Sequence, residues 1–227
     1  MAQTAARIST RSSIKHAALL LAALIAAAAL APGRSSAATG LPAPRFAKSV
    51  DIGLISGTVI VRPPSGPAFR LGVRDRSIPV GSGLDTTRGA VDLRAAYSPA
   101  QHKSGVQDGN FTGGLFAVLQ RRAEGGVTEL DLQTTVNAAR TCASKAGMTA
   151  TRASSRVLSL LHAKVHGSFR TRGRYAAATA RGTRWEMVDR CDGTLTKVSS
   201  GVVTVDDFRL QKTVKVSAGH SYLALAP

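Results

Sequence analysis

The chain has 227 residues, of which 30 are Lys or Arg and 13 are Asp or Glu, so its formal net charge at pH 7 is +17. After a predicted leader, about 190 residues remain, a length that suits one domain with a sizeable core. No long Pro/Ser-rich linker divides them, which excludes a second domain of comparable size.

The first 37 residues have the composition of an export signal. They contain no Asp or Glu, carry three cations before residue 16, and then run apolar from Ala17 to Ala31. This run is too short to cross the roughly 30 Å of hydrocarbon in a bilayer comfortably, and small residues at 35–38 offer a cleavage site. We therefore predict a helical, Sec-type signal peptide at 1–37 and a secreted, extracytoplasmic protein; an N-terminal membrane anchor is the alternative.

The remaining chain is predicted to be a flexible mature N-terminus at 38–49 followed by one β domain at 50–225. Apolar residues alternate with polar ones, and Gly interrupts them about every ten residues, which is typical of many short strands. Val91, Leu93 and Ala95, for example, lie opposite Asp92 and Arg94. We predict an all-β fold: a single β-roll, β-helix-like or sandwich-like domain of short strands joined by Gly turns.

Three further strands are predicted from the same pattern. The unbroken apolar run at 115–119 predicts a strand covered on both faces. In the second of these strands, Phe69, Leu71 and Val73 would face inward. In the third, Leu130 and Leu132 would face inward, and Glu129 and Asp131 outward.

Residues 134–156 depart from this pattern because they are small and polar with no sustained apolar period. We predict a polar surface excursion there, with room for a short helix over Val136–Cys142. The chain has two cysteines, Cys142 and Cys191, and both lie in the exported part. An oxidising environment favours a disulfide between them, which would fasten the excursion to the β domain.

The motifs of the β domain, in their order along the chain, resemble the FecR-like extracytoplasmic domain family, and most closely its stand-alone secreted members. The resemblance covers most of residues 50–225. It rests on Gly57–Val61, on Ile78–Leu93 with Gly81, Asp85, Thr86 and Gly89, on Gln107–Phe111, on Phe169–Asp189 with Gly182–Trp185, and on GTLTKVSSGVVTVDD from Gly193.

The FecR-like resemblance implies an all-β roll or β-helix-like core and a non-enzymatic binding, sensor or scaffold role. Better-known members connect the extracytoplasmic domain through a membrane helix to a cytoplasmic segment that controls a sigma factor in response to iron-chelate uptake. We expect any such signalling role of this chain to need a separate membrane partner.

Sequence motifs of common enzymes are absent from the mature chain. It has no Gly-x-Ser-x-Gly elbow, no His-Glu-x-x-His and no phosphate-binding loop. We therefore predict no enzymatic activity, no catalytic residues and no cofactor. The alternative is a secreted enzyme acting on envelope glycans, in which folding brings together two carboxylates from among Asp85, Asp92, Asp108 and Glu186.

Two other features could form sites. His162 and His166 would share a strand face with Lys164, and its positive charge opposes a metal ion between the two imidazoles. A site that adds the cysteines is disfavoured because they lack the close spacing of zinc ligands. We predict no metal. Trp185 is predicted to be a core anchor, with a stacking platform for a sugar ring as the alternative.

Charge is distributed unevenly along the chain. No Asp or Glu occurs between Leu132 and Trp185, whereas ten Lys and Arg residues do. An extended backbone would align Arg170, Arg172 and Arg174 on one side, and with Arg181 and Arg184 they form our candidate anion-binding site.

For this site we expect an envelope protein or an anionic polymer as partner, namely a wall polymer, an acidic polysaccharide or anionic lipid, and no specific nucleic acid. Solvated arginines with no binding role are the competing interpretation. A subunit of a larger envelope assembly is a further alternative.

Overall fold

The fold was analysed in a computed structural model, which describes residues 41–99, 105–124, 127–134, 136–143 and 155–227. The predicted signal peptide and residues 144–154 of the polar excursion lie outside these ranges. The regular secondary structure of the described residues is almost entirely β-strand, which confirms the all-β prediction. Strand structure begins at Ser49, next to the predicted domain boundary.

Fifteen strands occur in the described ranges, together with a 3₁₀ turn at Arg122–Glu124 and one short helix, α1. Their bounds are β1 Ser49–Arg62, β2 Phe69–Arg70, β3 Arg76–Pro79, β4 Gly83–Ala96, β5 Val106–Thr112, β6 Leu115–Gln120, β7 Thr128–Gln133, α1 Ala138–Cys142, β8 Val157–His166, β9 Ser168–Arg172, β10 Ala176–Arg181, β11 Arg184–Arg190, β12 Gly193–Ser200, β13 Val202–Asp207, β14 Lys212–Ser217 and β15 Ser221–Leu225.

The strands form one continuous sheet that folds back on itself. Twelve strands follow the order β14-β13-β10-β9-β7-β6-β4-β5-β8-β11-β12-β15, and beside this path β1 pairs with β2, β3 and β4. Along this path only β7 and β9 are parallel. The long strand β4 makes the return, because Gly83–Asp85 pairs with β6 and Ala90–Ala96 pairs with β5. We call β6, β7, β9, β10, β13 and β14 the first layer, and β5, β8, β11, β12 and β15 the second.

Glycines with positive φ mark the corners where the chain passes between the layers. They are Gly113 after β5, Gly167 after β8, Gly182 after β10, Gly201 after β12 and Gly219 after β14. Hydrogen bonds continue through these corners, for example from the Val165 N–H to the Thr183 carbonyl at 3.0 Å. Positive φ is costly for residues with a Cβ, so these glycines determine where the sheet turns.

The core lies between the two layers and is lined by every second residue of the strands. Phe111, Phe116 and Phe169 form its aromatic centre, with ring centroids 5.8 Å apart for the first two and 5.6 Å apart for Phe111 and Phe169. In β8 the alternation is strict from Leu161 to His166, where Leu161, Ala163 and Val165 are buried and His162, Lys164 and His166 are exposed. The predicted alternation of Val91, Leu93 and Ala95 is likewise confirmed.

The predicted strand with Phe69, Leu71 and Val73 inward is wrong at its end. Strand β2 stops at Arg70, and Val73 is 90% exposed. Leu71 is buried and its N–H still donates to the Val59 carbonyl at 2.9 Å. The chain then leaves the sheet at Gly72, so Val73 has no layer to pack against.

Two predictions about the first layer also need correction. The run at 115–119 alternates instead of being covered on both faces. Phe116 and Val118 are buried, whereas Leu115, Ala117 and Leu119 are only half-buried. Glu129, predicted to face solvent, is 1% exposed. It is buried because β7 lies between β6 and β9, and Arg121 on one side and Arg170 on the other cover its carboxylate.

The predicted disulfide is present between Cys142 and Cys191. It joins α1, in the polar excursion, to the turn between β11 and β12. The helix buries none of its residues, and its N-cap, Asn137, accepts a hydrogen bond from the Arg140 N–H. The disulfide and a 2.8 Å hydrogen bond from Arg156 Nη1 to the Thr141 carbonyl both hold the helix, and the cysteine thiols are not available as metal ligands.

Candidate anion-binding face

The structure distributes the five predicted arginines over both layers. Arg170 and Arg172 share the outer face of β9, whereas Arg174 follows the end of that strand. Arg181 ends β10 in the first layer and Arg184 begins β11 in the second. The five side chains therefore do not form one cluster.

The arginines of β9 already have partners within the protein. Arg170 lies 3.6 Å from the Glu129 carboxylate and donates from Nε to the Thr179 hydroxyl. The guanidinium of Arg172 lies over the Phe208 ring, 4.8 Å from its centroid. A carboxylate and an aromatic ring thus occupy positions that an anionic ligand would need.

A different pair of cations lies on the outer face of the second layer. Lys164 on β8 and Arg184 on β11 are directly opposite each other in the antiparallel register. Both side chains are exposed, and neither has an ion-pair partner among the described residues. The same row continues to Asn110 on β5 and Ser200 on β12. We call Asn110, Lys164, Arg184 and Ser200 the basic row.

Two hollows lie on either side of the Lys164–Arg184 pair and share both residues. One, of about 290 Å³, is also lined by His166, Gly182, Thr183 and Ser200. The other, of about 220 Å³, is also lined by Ala90, Asn110, Thr112 and His162. Thr183 is 6% exposed, and its hydroxyl has no hydrogen-bond partner in the described part of the chain. The first hollow thus combines two cations with the exposed Ser200 and the buried Thr183.

The carboxylates near the basic row have partners of their own, beginning with Asp92, which is opposite Asn110 in register and lies 3.5 Å from Arg94 Nε. The Glu186 carboxylate lies 3.3 Å from His162 Nδ1 and forms a salt bridge with Lys197 Nζ at 3.1 Å. Asp108 lies 3.2 Å from His166 Nδ1. Each imidazole therefore faces a carboxylate. Lys164 lies between the two histidines on β8. Within the described ranges no three His, Cys, Asp or Glu side chains are grouped as metal ligands.

Of the four carboxylates considered for glycan hydrolysis, Asp92 and Asp108 are diagonal neighbours on the paired strands β4 and β5, whereas Asp85 and Glu186 lie apart from them. Asp85 lies on the part of β4 that pairs with β6 of the first layer. Its Oδ2 is 3.5 Å from Arg62 Nη2. Burial acts to raise its pKa, but hydrogen bonds from Thr87 and the charge of Arg62 together lower that pKa below the ordinary value. Asp108 on β5 is directly opposite Arg94 on β4, and Asp92, two residues before Arg94, is opposite Asn110.

Burial raises the pKa of Asp92, and the charge of Asp108 adds to the effect. Glu186 is two strands away from Asp108, on β11. Neither hollow beside the basic row is lined by a carboxylate. The geometry of these hollows suits binding of an anion rather than acid–base attack on a glycosidic bond, which needs paired carboxylates.

Trp185 is a core residue, as predicted. It is 1% exposed, and its indole N–H donates to the buried Thr171 hydroxyl at 2.9 Å. A buried indole cannot stack on a sugar ring, so the stacking-platform alternative is wrong.

The sequence does not single out Lys164 as a candidate binding residue. From the sequence alone, Lys164 is only a charge that opposes a metal ion between the two histidines. Its position opposite Arg184 depends on the pairing register of β8 and β11, which no local motif encodes.

No protein-family model, curated protein or solved structure matches the chain. No helix in the described part of the chain has both the length and the hydrophobicity needed to span a bilayer. The functional assignment therefore rests on the residues themselves.

Proposed function

We propose that this protein is a non-enzymatic, extracytoplasmic binding domain of FecR-like type that binds an anionic polymer of the cell envelope on the outer face of its second layer. The observation that carries this proposal is the exposed Lys164–Arg184 pair, which has no carboxylate partner among the described residues. The order of the sequence motifs supports the FecR-like assignment, and the predicted signal peptide supports export.

Like charges directly opposite each other destabilise an antiparallel sheet. An ion pair or a bound anion would relieve the repulsion between Lys164 and Arg184, and the described residues supply no ion pair. Real proteins depart from locally optimal choices chiefly at functional sites. The retained repulsion therefore supports a role for this pair in binding a negative group.

A polymer fits this face better than a membrane surface does. The centre of the face presents Asn110, His162, Lys164, Arg184 and Lys197, and none of these is a large apolar side chain that could insert among lipids. The row of polar groups crosses four neighbouring strands. Such a row can contact successive charged groups of an extended chain.

The test is equilibrium binding of the protein to polyphosphate, polyglutamate, neutral dextran and phosphatidylglycerol vesicles at low and high salt. We expect an anionic polymer to bind, dextran not to bind, and added salt to weaken binding steeply. The Lys164→Gln/Arg184→Gln variant should lose roughly tenfold or more in affinity.

Arg172→Gln/Lys215→Gln is the matched control, because it removes one Arg and one Lys from the outer face of the first layer. It should keep most of the affinity. Failure of every anionic polymer to bind at low salt, or binding to vesicles alone, would overturn the proposal. Release of sugars from envelope glycans by the protein would instead support the enzymatic alternative.

A further inference from the structure

We infer that the loop between β2 and β3, residues 71–75, forms with the arginines beside it a contact site for a bilayer that contains anionic phospholipid. The site is separate from the basic row, and the inference does not rest on polymer binding there. Its central residue is Val73, which is 90% exposed. Val73 lines a hollow of about 390 Å³ together with Arg70, Arg74 and Arg76.

The loop is held at both ends against β1. Strand β1 pairs with β3 at its start and with β2 near its end, and the loop spans the stretch between them. Leu71 is buried and its N–H donates to the Val59 carbonyl at 2.9 Å. At the other end, a Cβ added to Gly53 would lie 2.7 Å from a carboxylate oxygen of Asp75. Residues 72–74, between these two anchors, are exposed.

The three arginines of the hollow keep their charge. Arg70 donates from Nη2 to the Thr58 hydroxyl at 3.0 Å, and the guanidinium of Arg76 lies over the Phe69 ring, 5.0 Å from its centroid. These neutral partners orient two of the cations without neutralising them. Arg74, like the other two, has no carboxylate partner among the described residues.

The carboxylate of the loop itself is engaged by a different cation. Asp75 forms a salt bridge with Arg94 on β4 and does not line the hollow. The hollow is therefore surrounded by three positive charges and no negative one, an arrangement that attracts an anionic surface.

Exposed aliphatic side chains distinguish this site from the basic row. A single exposed aliphatic residue is common in soluble proteins and needs no explanation. Here Val73 lies beside three cations, and Ile55, which is 49% exposed, lies on the stretch of β1 that the loop spans. This edge of the sheet thus combines positive charge with two aliphatic side chains.

A bilayer suits this combination better than a soluble polymer does. At the boundary between headgroups and acyl chains, an aliphatic side chain leaves water while arginines contact the phosphates of anionic lipids. A hydrated anionic polymer would pair with the arginines but leave Val73 and Ile55 in water. We therefore assign the loop to the lipid surface and the basic row to the polymer.

The first test places a fluorescent reporter in the loop. Val73→Trp should show a blue shift of its emission with vesicles of phosphatidylcholine that contain phosphatidylglycerol, and none with phosphatidylcholine alone. Trp185, the chain's own tryptophan, is 1% exposed, so its emission should not respond. Val202→Trp is the matched control, because Val202 is 49% exposed at the start of β13 in the first layer. A shift in both variants, or in neither, would refute insertion of the loop.

The second test removes charge and leaves Val73 in place. Each basic residue near an anionic bilayer contributes about fivefold in affinity, so Arg74→Gln/Arg76→Gln should weaken sedimentation with phosphatidylglycerol vesicles roughly tenfold or more. Arg181→Gln/Arg209→Gln removes two exposed arginines of the first layer and should have little effect, because salt screens distant charges. Equal losses in the two double variants would contradict a contact at the loop.

The lipid site and the polymer site can fail separately. Lys164→Gln/Arg184→Gln should keep vesicle binding, and Arg74→Gln/Arg76→Gln should keep most of the polymer affinity. Vesicle binding that is lost in the first double variant and kept in the second would remove the lipid site from the loop.

A second copy of the chain is the other possible occupant of this edge. Light scattering should show a monomer for the wild type. A dimer that Val73→Ser converts to a monomer would assign the loop to contact between copies and overturn the inference.

Discussion

The indole N–H of Trp185 on β11 donates a 2.9 Å hydrogen bond to the hydroxyl of Thr171 on β9, and both side chains are buried. Because β11 belongs to the second layer and β9 to the first, this bond crosses the core. It satisfies the polar group of the largest core side chain at the point where the two layers meet.

Thr171→Val should therefore destabilise the fold by about 1–3 kcal/mol, because it leaves the buried indole N–H without an acceptor. Thr171→Ser keeps the hydroxyl and loses one methyl group, which costs about 1 kcal/mol. Urea unfolding of the two variants measures the difference. If Thr171→Val proved as stable as Thr171→Ser, the bond would have no role in joining the layers.

Gly57 is the most constrained of the glycines in β1. Its φ is +70°, and a Cβ there would lie 2.2 Å from the Arg88 carbonyl oxygen on β4. Gly57→Ala is expected to cost about 3 kcal/mol or more, since backbone strain and a backbone clash combine.

Two other glycines separate the contributions to that cost. Gly66 has positive φ but open space around it, so Gly66→Ala should cost about 1–2 kcal/mol. Gly72 has open space without positive φ, and Gly72→Ala should change stability by less than about 0.5 kcal/mol. Equal effects of all three substitutions on thermal unfolding would contradict this account of the β1–β4 pairing.

The Cys142–Cys191 disulfide closes a loop with a sequence separation of 49. Loop-closure entropy predicts that removing it in Cys142→Ser/Cys191→Ser lowers the free energy of unfolding by about 4 kcal/mol. Reductant should lower the unfolding midpoint of the wild type and leave that of the double variant unchanged. A wild-type midpoint that does not respond to full reduction would refute the expected stabilisation.

Tyr222 links stability to alkaline pH. Burial, together with a 2.8 Å hydrogen bond donated to Asp207, raises the pKa of Tyr222 to about 12. The folded protein holds this proton more tightly than the unfolded chain, whose tyrosines titrate near pH 10. The stabilisation is therefore complete below about pH 10 and is lost as pH rises to about 12.

Phenolate absorbance should show one tyrosine titrating late, and Tyr222→Phe should remove that step. Asp207→Asn should shift the step to lower pH, because it removes the negative charge beside the phenol. A titration in which Tyr222→Phe removes a step at the ordinary tyrosine pKa would show that the hydrogen bond does not hold the proton.

Much of the fold could be predicted from the sequence because side-chain alternation directly reports strand faces. His162 and Leu161 were assigned correctly to opposite faces of β8 for this reason. Val73 was misassigned because its pattern continues past the last paired residue, Arg70, and pattern alone does not show where pairing stops. Glu129 was misassigned because its neighbours, Arg121 and Arg170, come from other parts of the chain.

The binding site was less predictable than the fold. Arg170 and Arg172 stand out in the sequence as an alternating run, yet their environment includes Glu129 and the Phe208 ring. Lys164 and Arg184 are twenty positions apart and become neighbours only through the register of two strands. A charge pattern identifies cations, but only the fold shows which of them lack an internal partner.

The salt dependence of polymer affinity tests the central claim most directly. The logarithm of the dissociation constant of the bound anionic polymer should be measured against the logarithm of salt concentration for three proteins. They are the wild type, Lys164→Gln/Arg184→Gln and Arg172→Gln/Lys215→Gln. If the basic row holds the polymer, only the first double variant should show a clearly smaller slope, because fewer polymer charges are then neutralised. Equal slopes for the two double variants would contradict the claim and place the contact elsewhere on the protein.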